Sequence, residues 1–257
     1  QQKDIEAEVY LSSAEKGSLE RIEQLLAAGW REEAAQELRF FYDPKGENSK
    51  LLLARYFAAA MDFTRAIRVF NETWSNGDIP LASFMRLSFP LDYDPWIINE
   101  AKERKFEPHL IRSLIRQESA FNKRAVSSSN AQGLMQLIPP TAEEVKKELG
   151  LKTSDSFDPE TNIKMGTFYL SKMLDKFGRS VPLALAAYNA GPEKLGKWLR
   201  ARKLEAKASS SPEDEIWIDE LPWSETSFYV KAILRNLLIY RHLDQGQVTL
   251  SEPIWKF

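Results

Sequence analysis

Along the first third of the chain, apolar residues recur at helical spacing and break off at short intervals. Ile22, Leu25 and Leu26, then Ala34, Ala35, Leu38 and Phe41 beyond Gly29, each define one face of a short helix. The segment DPKGENS at 43–49 reads as a loop by composition, and Leu51 to Ala60 and Phe63 to Trp74 form a second helical pair. WREEAAQELRF at 30–40 resembles DFTRAIRVFNE at 62–72, an offset of 32 residues. Both copies place an alanine (Ala34, Ala66) four residues before a large apolar side chain (Leu38, Phe70), which lets two helices approach closely. The offset suits a helix-pair solenoid, and a plain helical bundle also accommodates it.

Pro90 and Pro95 mark a boundary, giving a helical superhelix or linker segment over 1–88 and a second domain over 89–257. Pro108 opens a helix at its first turn, and that helix runs through Glu118. TAEE at 141–144 reads as a capping box ahead of Val145 to Leu149, with Gly150 as the stop. Asp158 caps a helix holding Ile163, Met165, Phe168, Tyr169, Leu170 and Met173, and Leu183 to Tyr188 make another. KASSSPEDE at 207–215 is a polar loop. Ser224 reads as the cap of a last long helix with Tyr229, Val230, Ile233, Leu234, Leu237, Leu238 and Tyr240. No segment alternates as a strand would, so the expected fold class is all-α.

Composition narrows the chemistry. Eleven glycines in 257 residues are few for a β-rich or α/β chain. A net charge of −2 removes any global attraction to nucleic acid or anionic membrane. There is no cysteine, and the two histidines are His109 and His242, which rules out disulfides and a cysteine or multi-histidine metal site. No metal or cofactor is expected. No signal peptide or transmembrane run stands in the sequence. That leaves either a cytosolic chain or a processed or trimmed form of an exported protein, and the opening, mid-pattern and without methionine, favours the second.

The helix before Glu118 carries the first chemical signal. Leu110, Ile111, Leu114 and Ile115 form its apolar stripe, and Glu118, four residues after Leu114, extends that stripe. A carboxylate there is desolvated and its pKa raised toward the range of a general acid. The bland alternative is a fraying helix end with Glu118 in water. Downstream, RAVSSSNAQGLMQLIPPTA at 124–142 is a small-residue loop in which Gly133 permits close approach and Gln136 offers both a donor and an acceptor. AAYNAGPEK at 186–194 places Tyr188 and Asn189 beside a turn, an aromatic face and an amide suited to a sugar. Singly, these residues read as a helix C-cap and a turn.

In this order they are more specific. QESAFN (117–122), AQGLMQLIP (131–139) and AYNAGP (187–192) resemble successive motifs of the soluble lytic transglycosylase family. The likeness continues in FDPETNIKMGTFYLSKML (157–174) and ELPWSETSFYV (220–230), and it covers roughly residues 90–243. It implies a lysozyme-like, goose-type α-helical catalytic domain behind a superhelical region, acting on peptidoglycan glycan strands in the bacterial periplasm. It makes Glu118 the catalytic acid/base, with Ser119 helping to hold the helix end. Ser127, Gln136, Ile138, Tyr188, Asn189 and Glu225 become substrate-binding residues, the Tyr188 hydroxyl lying near the catalytic carboxyl. From the residues alone, Glu225 also reads as a first-turn helix carboxylate favoured by the macrodipole. The family often has arginine where this chain has Ser227, which bears on substrate preference.

The same resemblance explains how one carboxyl group suffices where ordinary glycosidases use two. Glu143, Glu144, Asp155 and Asp158 have capping or solvent-face explanations. The N-acetyl group of N-acetylmuramic acid supports the cationic centre, and Glu118 then deprotonates O6 of the same sugar to give a 1,6-anhydro end. Two other readings are a hydrolytic muramidase and a catalytically silent glycan-binding scaffold. Lys194, Lys197, Arg200, Arg202, Lys203 and Lys207 form either a solvated helix face or a rim for stem-peptide carboxylates.

Overall fold

The computed structural model describes residues 12–39, 47–74, 85, 88–152, 155–202 and 217–245. These are helical and hold no named strand, only the single antiparallel bridges Val126 to Gln132 and Gln132 to Leu137. The fold class is all-α. The chain divides into two compact units, Gln1–Pro90 and Leu91–Phe257.

In the first unit, α1 (Ser13–Ala27), α2 (Arg31–Arg39), α3 (Glu47–Ala59) and α4 (Phe63–Trp74) pack as successive neighbours. Ser12 and Glu15 make a reciprocal capping box at the start of α1. Ala34 and Ala66, the two alanines of the 32-residue offset, are both fully buried. They share one core with Ile22, Leu38 and Phe57. The expected loop at 43–49 is shorter than composition suggested, because α3 already begins at Glu47. Residues 43–46, Phe41 and the Phe70 side chain lie outside what is described.

The second unit comprises α5 (Asp94–Arg104), α6 (Pro108–Ser119), α7 (Pro139–Leu149), α8 (Pro159–Lys176), α9 (Val181–Ala190), α10 (Pro192–Arg202) and α11 (Ser224–Gln245). Four of these are built on punctuation visible in the sequence. Pro108 is the first residue of α6, and Gly150 closes α7 in the left-handed conformation at φ 64°. The Asp158 side chain accepts from Thr161 N at 2.9 Å, and Ser180 caps α9 in the same way. Two boundaries differ from expectation. TAEE is not a capping box: α7 starts at Pro139, with prolines in its first two positions and no side-chain cap. Proline supplies helical φ and lacks the N–H that a cap would satisfy, so the helix begins before Thr141. Ser224 is the first residue of α11 rather than its cap. The polar loop at 207–215 lies outside the described residues.

The core of this unit places the site. α6 packs along α11, α9 lies against both α8 and α11, and α5 rests on α8. Ile111, Leu114 and Ile115 of α6 meet an interior that includes Ala184 to Ala187 of α9 and Val230, Ile233 and Leu237 of α11, all fully buried or nearly so. α9 is almost wholly apolar, so both its faces are covered and its end is held firmly.

Candidate active site

α6 ends one residue after Glu118, and its ending is unusual. Ala120 and Phe121 both take left-handed backbone conformations, at φ 47° and 63°. Neither is glycine, so each carries a local cost of about 1–3 kcal/mol that the surroundings must offset. Phe121 offsets it by full burial, its ring parallel to that of Tyr93 at 6.4 Å between centroids. The chain therefore turns sharply under Glu118 instead of fraying. Ser119 secures the turn by donating from Oγ to the Leu134 carbonyl at 2.8 Å, with the Ile115 carbonyl 3.2 Å away.

Glu118 continues the apolar stripe and is only partly exposed. Burial pushes its carboxyl up to about 7, and a hydrogen bond from Tyr229 opposes that rise. Tyr229 donates from its hydroxyl to Glu118 Oε1 at 2.5 Å. Burial raises the Tyr229 hydroxyl well above its ordinary range, and the Glu118 charge adds to this, so it stays a donor at neutral pH. Among the described residues no second carboxyl acts on Glu118. Glu144 is held by Lys172, Asp155 accepts from the Phe157 amide, and Asp158 is occupied as the cap of α8.

Tyr188, at the end of α9, lies close enough to feel the Glu118 charge. Its hydroxyl does not bond the carboxyl; it donates to the Met135 carbonyl at 2.8 Å. Tyr169 meets Tyr188 edge-on at 5.2 Å. The tyrosine bonded to Glu118 is Tyr229, which the sequence presents only as part of the apolar stripe of α11. Its one signal is spacing: Tyr229 stands four residues after Glu225 in ELPWSETSFYV and so shares a helix face with it.

The other expected residues distribute around this centre. Glu225 is exposed in the first turn of α11, one turn from Tyr229. Asn189 is exposed and accepts from the Thr226 hydroxyl at 2.7 Å, which ties the end of α9 to the start of α11. Gln136 occupies a left-handed position, φ 48°, and its amide nitrogen donates to the carbonyls of Gly133 at 2.8 Å and Ala125 at 3.1 Å. Both donor hydrogens are thus committed to the loop, and the amide oxygen is the group it can offer a ligand. Ser127 closes the 127–131 turn, its Oγ accepting from Ala131 N at 3.0 Å. Ile138 is exposed at the start of α7. No hydrogen bond among the described residues ties Ser127 or Ile138 to Glu118. In the basic run, Lys194 sits over the Trp223 ring at 4.4 Å and Arg202 pairs with Glu220 at 2.5 Å. Lys203 and Lys207 lie outside the described residues.

Tyr229→Phe isolates the hydrogen bond on Glu118. Without it, nothing opposes burial, so the Glu118 pKa should rise further and the alkaline limb of the activity profile should move to higher pH. Turnover should fall on the order of 10-fold, the usual worth of a hydrogen bond to a charged group. A pH–rate series on the variant checks both. A limb that moves to lower pH would contradict the arrangement.

An all-α, lysozyme-like domain with one desolvated glutamic acid at the end of a buried helix is the class that fold and site define. Residues 95–210 match the transglycosylase SLT domain family. It is 28% identical over 249 residues to the soluble lytic murein transglycosylase of Salmonella typhimurium, covering 92% of this chain and 36% of that one. The crystal structure of the 70 kDa soluble lytic transglycosylase from Escherichia coli superposes with a TM-score of 0.73 at 26% identity, over 96% of this chain and 38% of the other. Lytic transglycosylase Slt from Pseudomonas aeruginosa, solved as an inactive glutamate-to-glutamine mutant, gives 0.69 at 28% identity, over 93% and 37%. This chain therefore spans a little over a third of the length of each of these relatives. Among its described residues, no helix is long and apolar enough to cross a membrane.

Proposed function

We propose that this chain is a peptidoglycan lytic transglycosylase that cleaves the β-1,4 bond between N-acetylmuramic acid and N-acetylglucosamine. The single observation that carries this reading is Glu118: one carboxyl, poised near pH 7 by burial, with no second acid among the described residues acting on it. A group at that pKa is available in both protonation states, which acid and then base catalysis by one residue requires. Protonated Glu118 donates to the glycosidic oxygen as the bond to C1 breaks, and the leaving sugar departs with that proton. The N-acetyl group of the muramic acid supports the positive charge at C1, the task a second carboxylate has in other glycosidases. Ionised Glu118 then takes the proton from O6, and O6 bonds to C1. Glu118 ends protonated as it began, and no water is consumed. The inactive mutant of the Pseudomonas aeruginosa relative, with glutamine for one glutamate, accords with dependence on a single carboxyl.

Exposed Asn189 and Glu225, the rings of Tyr188 and Tyr169, and the Gln136 amide oxygen supply the sugar-binding groups, with Ser127 and Ile138 along the same loop. Residues 89–257 carry this activity, and the N-terminal helices are a piece of a superhelical region. The substrate places the protein in the periplasm, where the exposed Lys197 and Arg200 on α10 meet stem-peptide carboxylates. The test is digestion of purified sacculi followed by mass analysis of the released muropeptides. The reading requires muramic acid ends one water lighter than reducing ends; reducing ends as the main product would replace it with a muramidase.

A further inference from the structure

We propose that Asn162 and Gly166 of α8 are positioning residues of the active site, seating the loop segment 132–135 that holds Ser119 and Tyr188 near Glu118. This rests on the assignment of Glu118 made above. Asn162 is fully buried, and its amide is completely engaged with backbone. Its Oδ1 accepts from Met135 N at 2.8 Å, while Nδ2 donates to the carbonyls of Ser156 at 2.8 Å and Gln132 at 3.1 Å. Because one partner is an N–H and two are carbonyls, the amide has a single satisfactory orientation.

Gly166 is one turn further along the same face. A Cβ added there would stand 2.4 Å from Met135 Sδ and 2.6 Å from Met135 Cβ. Gly133 presses from the loop side in the same way, its hypothetical Cβ 2.2 Å from the Ser156 carbonyl oxygen and 2.3 Å from Asn162 Nδ2. The loop and α8 therefore meet with no slack at either end of the seat. On its other side the segment offers two carbonyls to the active site. Leu134 O receives the Ser119 hydroxyl and Met135 O receives the Tyr188 hydroxyl, both at 2.8 Å. Ser119 adjoins Glu118 in the chain, and Tyr188 feels its charge. A shift of the seat is thus transmitted to the carboxyl through two hydrogen bonds, although neither α8 residue touches it.

The variants are Gly166→Ala, which favours the helix but displaces Met135, and Asn162→Asp, which keeps the shape but turns an acceptor toward two carbonyls. Both are compared with wild type on soluble glycan strands by kcat, KM and pH profile. A displacement of about 1 Å costs on the order of 10²-fold in turnover, so kcat should fall by one to two orders of magnitude with KM nearly unchanged. Water reaching a loosened site should also lower the Glu118 pKa from about 7 toward its ordinary 4.5, moving the alkaline limb to lower pH. A merely destabilised protein would lose activity in proportion to its folded fraction and keep its limb. An unmoved limb in a folded variant, a loss confined to KM, or failure of both variants to fold would overturn the proposal. Turnover by Glu118→Gln above a tenth of wild type would instead overturn the Glu118 reading beneath it.

Discussion

Glu118→Gln should abolish lytic turnover and stabilise the protein at alkaline pH. Glutamine matches the carboxyl in shape and still accepts from the Tyr229 hydroxyl, but it cannot give a proton or take one. Loss of acid–base catalysis alone is worth roughly 10²–10⁴ in rate. Here the same group serves both steps, so the fall should reach at least the upper end, with glycan binding retained. The stability gain follows from the raised pKa. The folded chain holds a proton on Glu118 up to about pH 7, whereas the unfolded chain releases it near 4.5. Between those values the folded state binds the extra proton, so wild-type stability falls as pH rises through that window and stays lower above it. The glutamine variant has no such slope, and by pH 8 its advantage should be on the order of 2–3 kcal/mol. Urea unfolding of both proteins at pH 4.5 and pH 8 measures it. Parallel pH dependences would mean that Glu118 is solvated, and turnover above a tenth of wild type would remove it from the chemistry.

Gly133→Ala should be among the most damaging single-methyl additions in the protein. The position combines a left-handed backbone at φ 79° with a Cβ that would overlap the Ser156 carbonyl and the buried Asn162 amide. The backbone conformation costs a non-glycine residue about 1–3 kcal/mol, and overpacking adds a similar amount. The sum is about 3–5 kcal/mol, because the neighbours are backbone and a fully bonded side chain that cannot swing aside. Gly150→Ala provides the contrast: φ is 64°, but no atom lies within 4 Å of the added carbon. Its cost should be confined to the backbone term, about 1 kcal/mol. Urea denaturation of both variants would test the difference. Equal destabilisation would show that the loop does not press on α8.

The helices and the buried position of Glu118 were legible in the sequence because both depend on local spacing. Proline at 108, Asp158 and Gly150 punctuate helices through short-range chemistry, and Glu118 declares itself by continuing a stripe within its own helix. What could not be read depends on contacts between distant segments. Tyr229 bonds Glu118 across 111 residues, and periodicity alone assigns it to the core. Tyr188 feels the Glu118 charge, yet its hydroxyl is fixed by a backbone carbonyl 53 residues away. Gln136 looked like a ligand for sugar, but its donors close the loop on which it stands, since a left-handed non-glycine residue needs such support. Asn162 gave no signal at all, because a polar residue inside an apolar helix face reveals its partners only once the loop is folded over it. The misread start of α7 has the opposite origin: two competing local signals, a capping box and a proline pair, of which the prolines prevailed.

Digestion of sacculi by the wild-type protein in heavy-oxygen water tests the central claim most directly. If Glu118 and O6 complete the reaction without water, the released muramic acid ends are 1,6-anhydro, one water lighter than reducing ends, and free of label. Reducing ends carrying heavy oxygen as the main product would contradict that account and require a second acid facing Glu118.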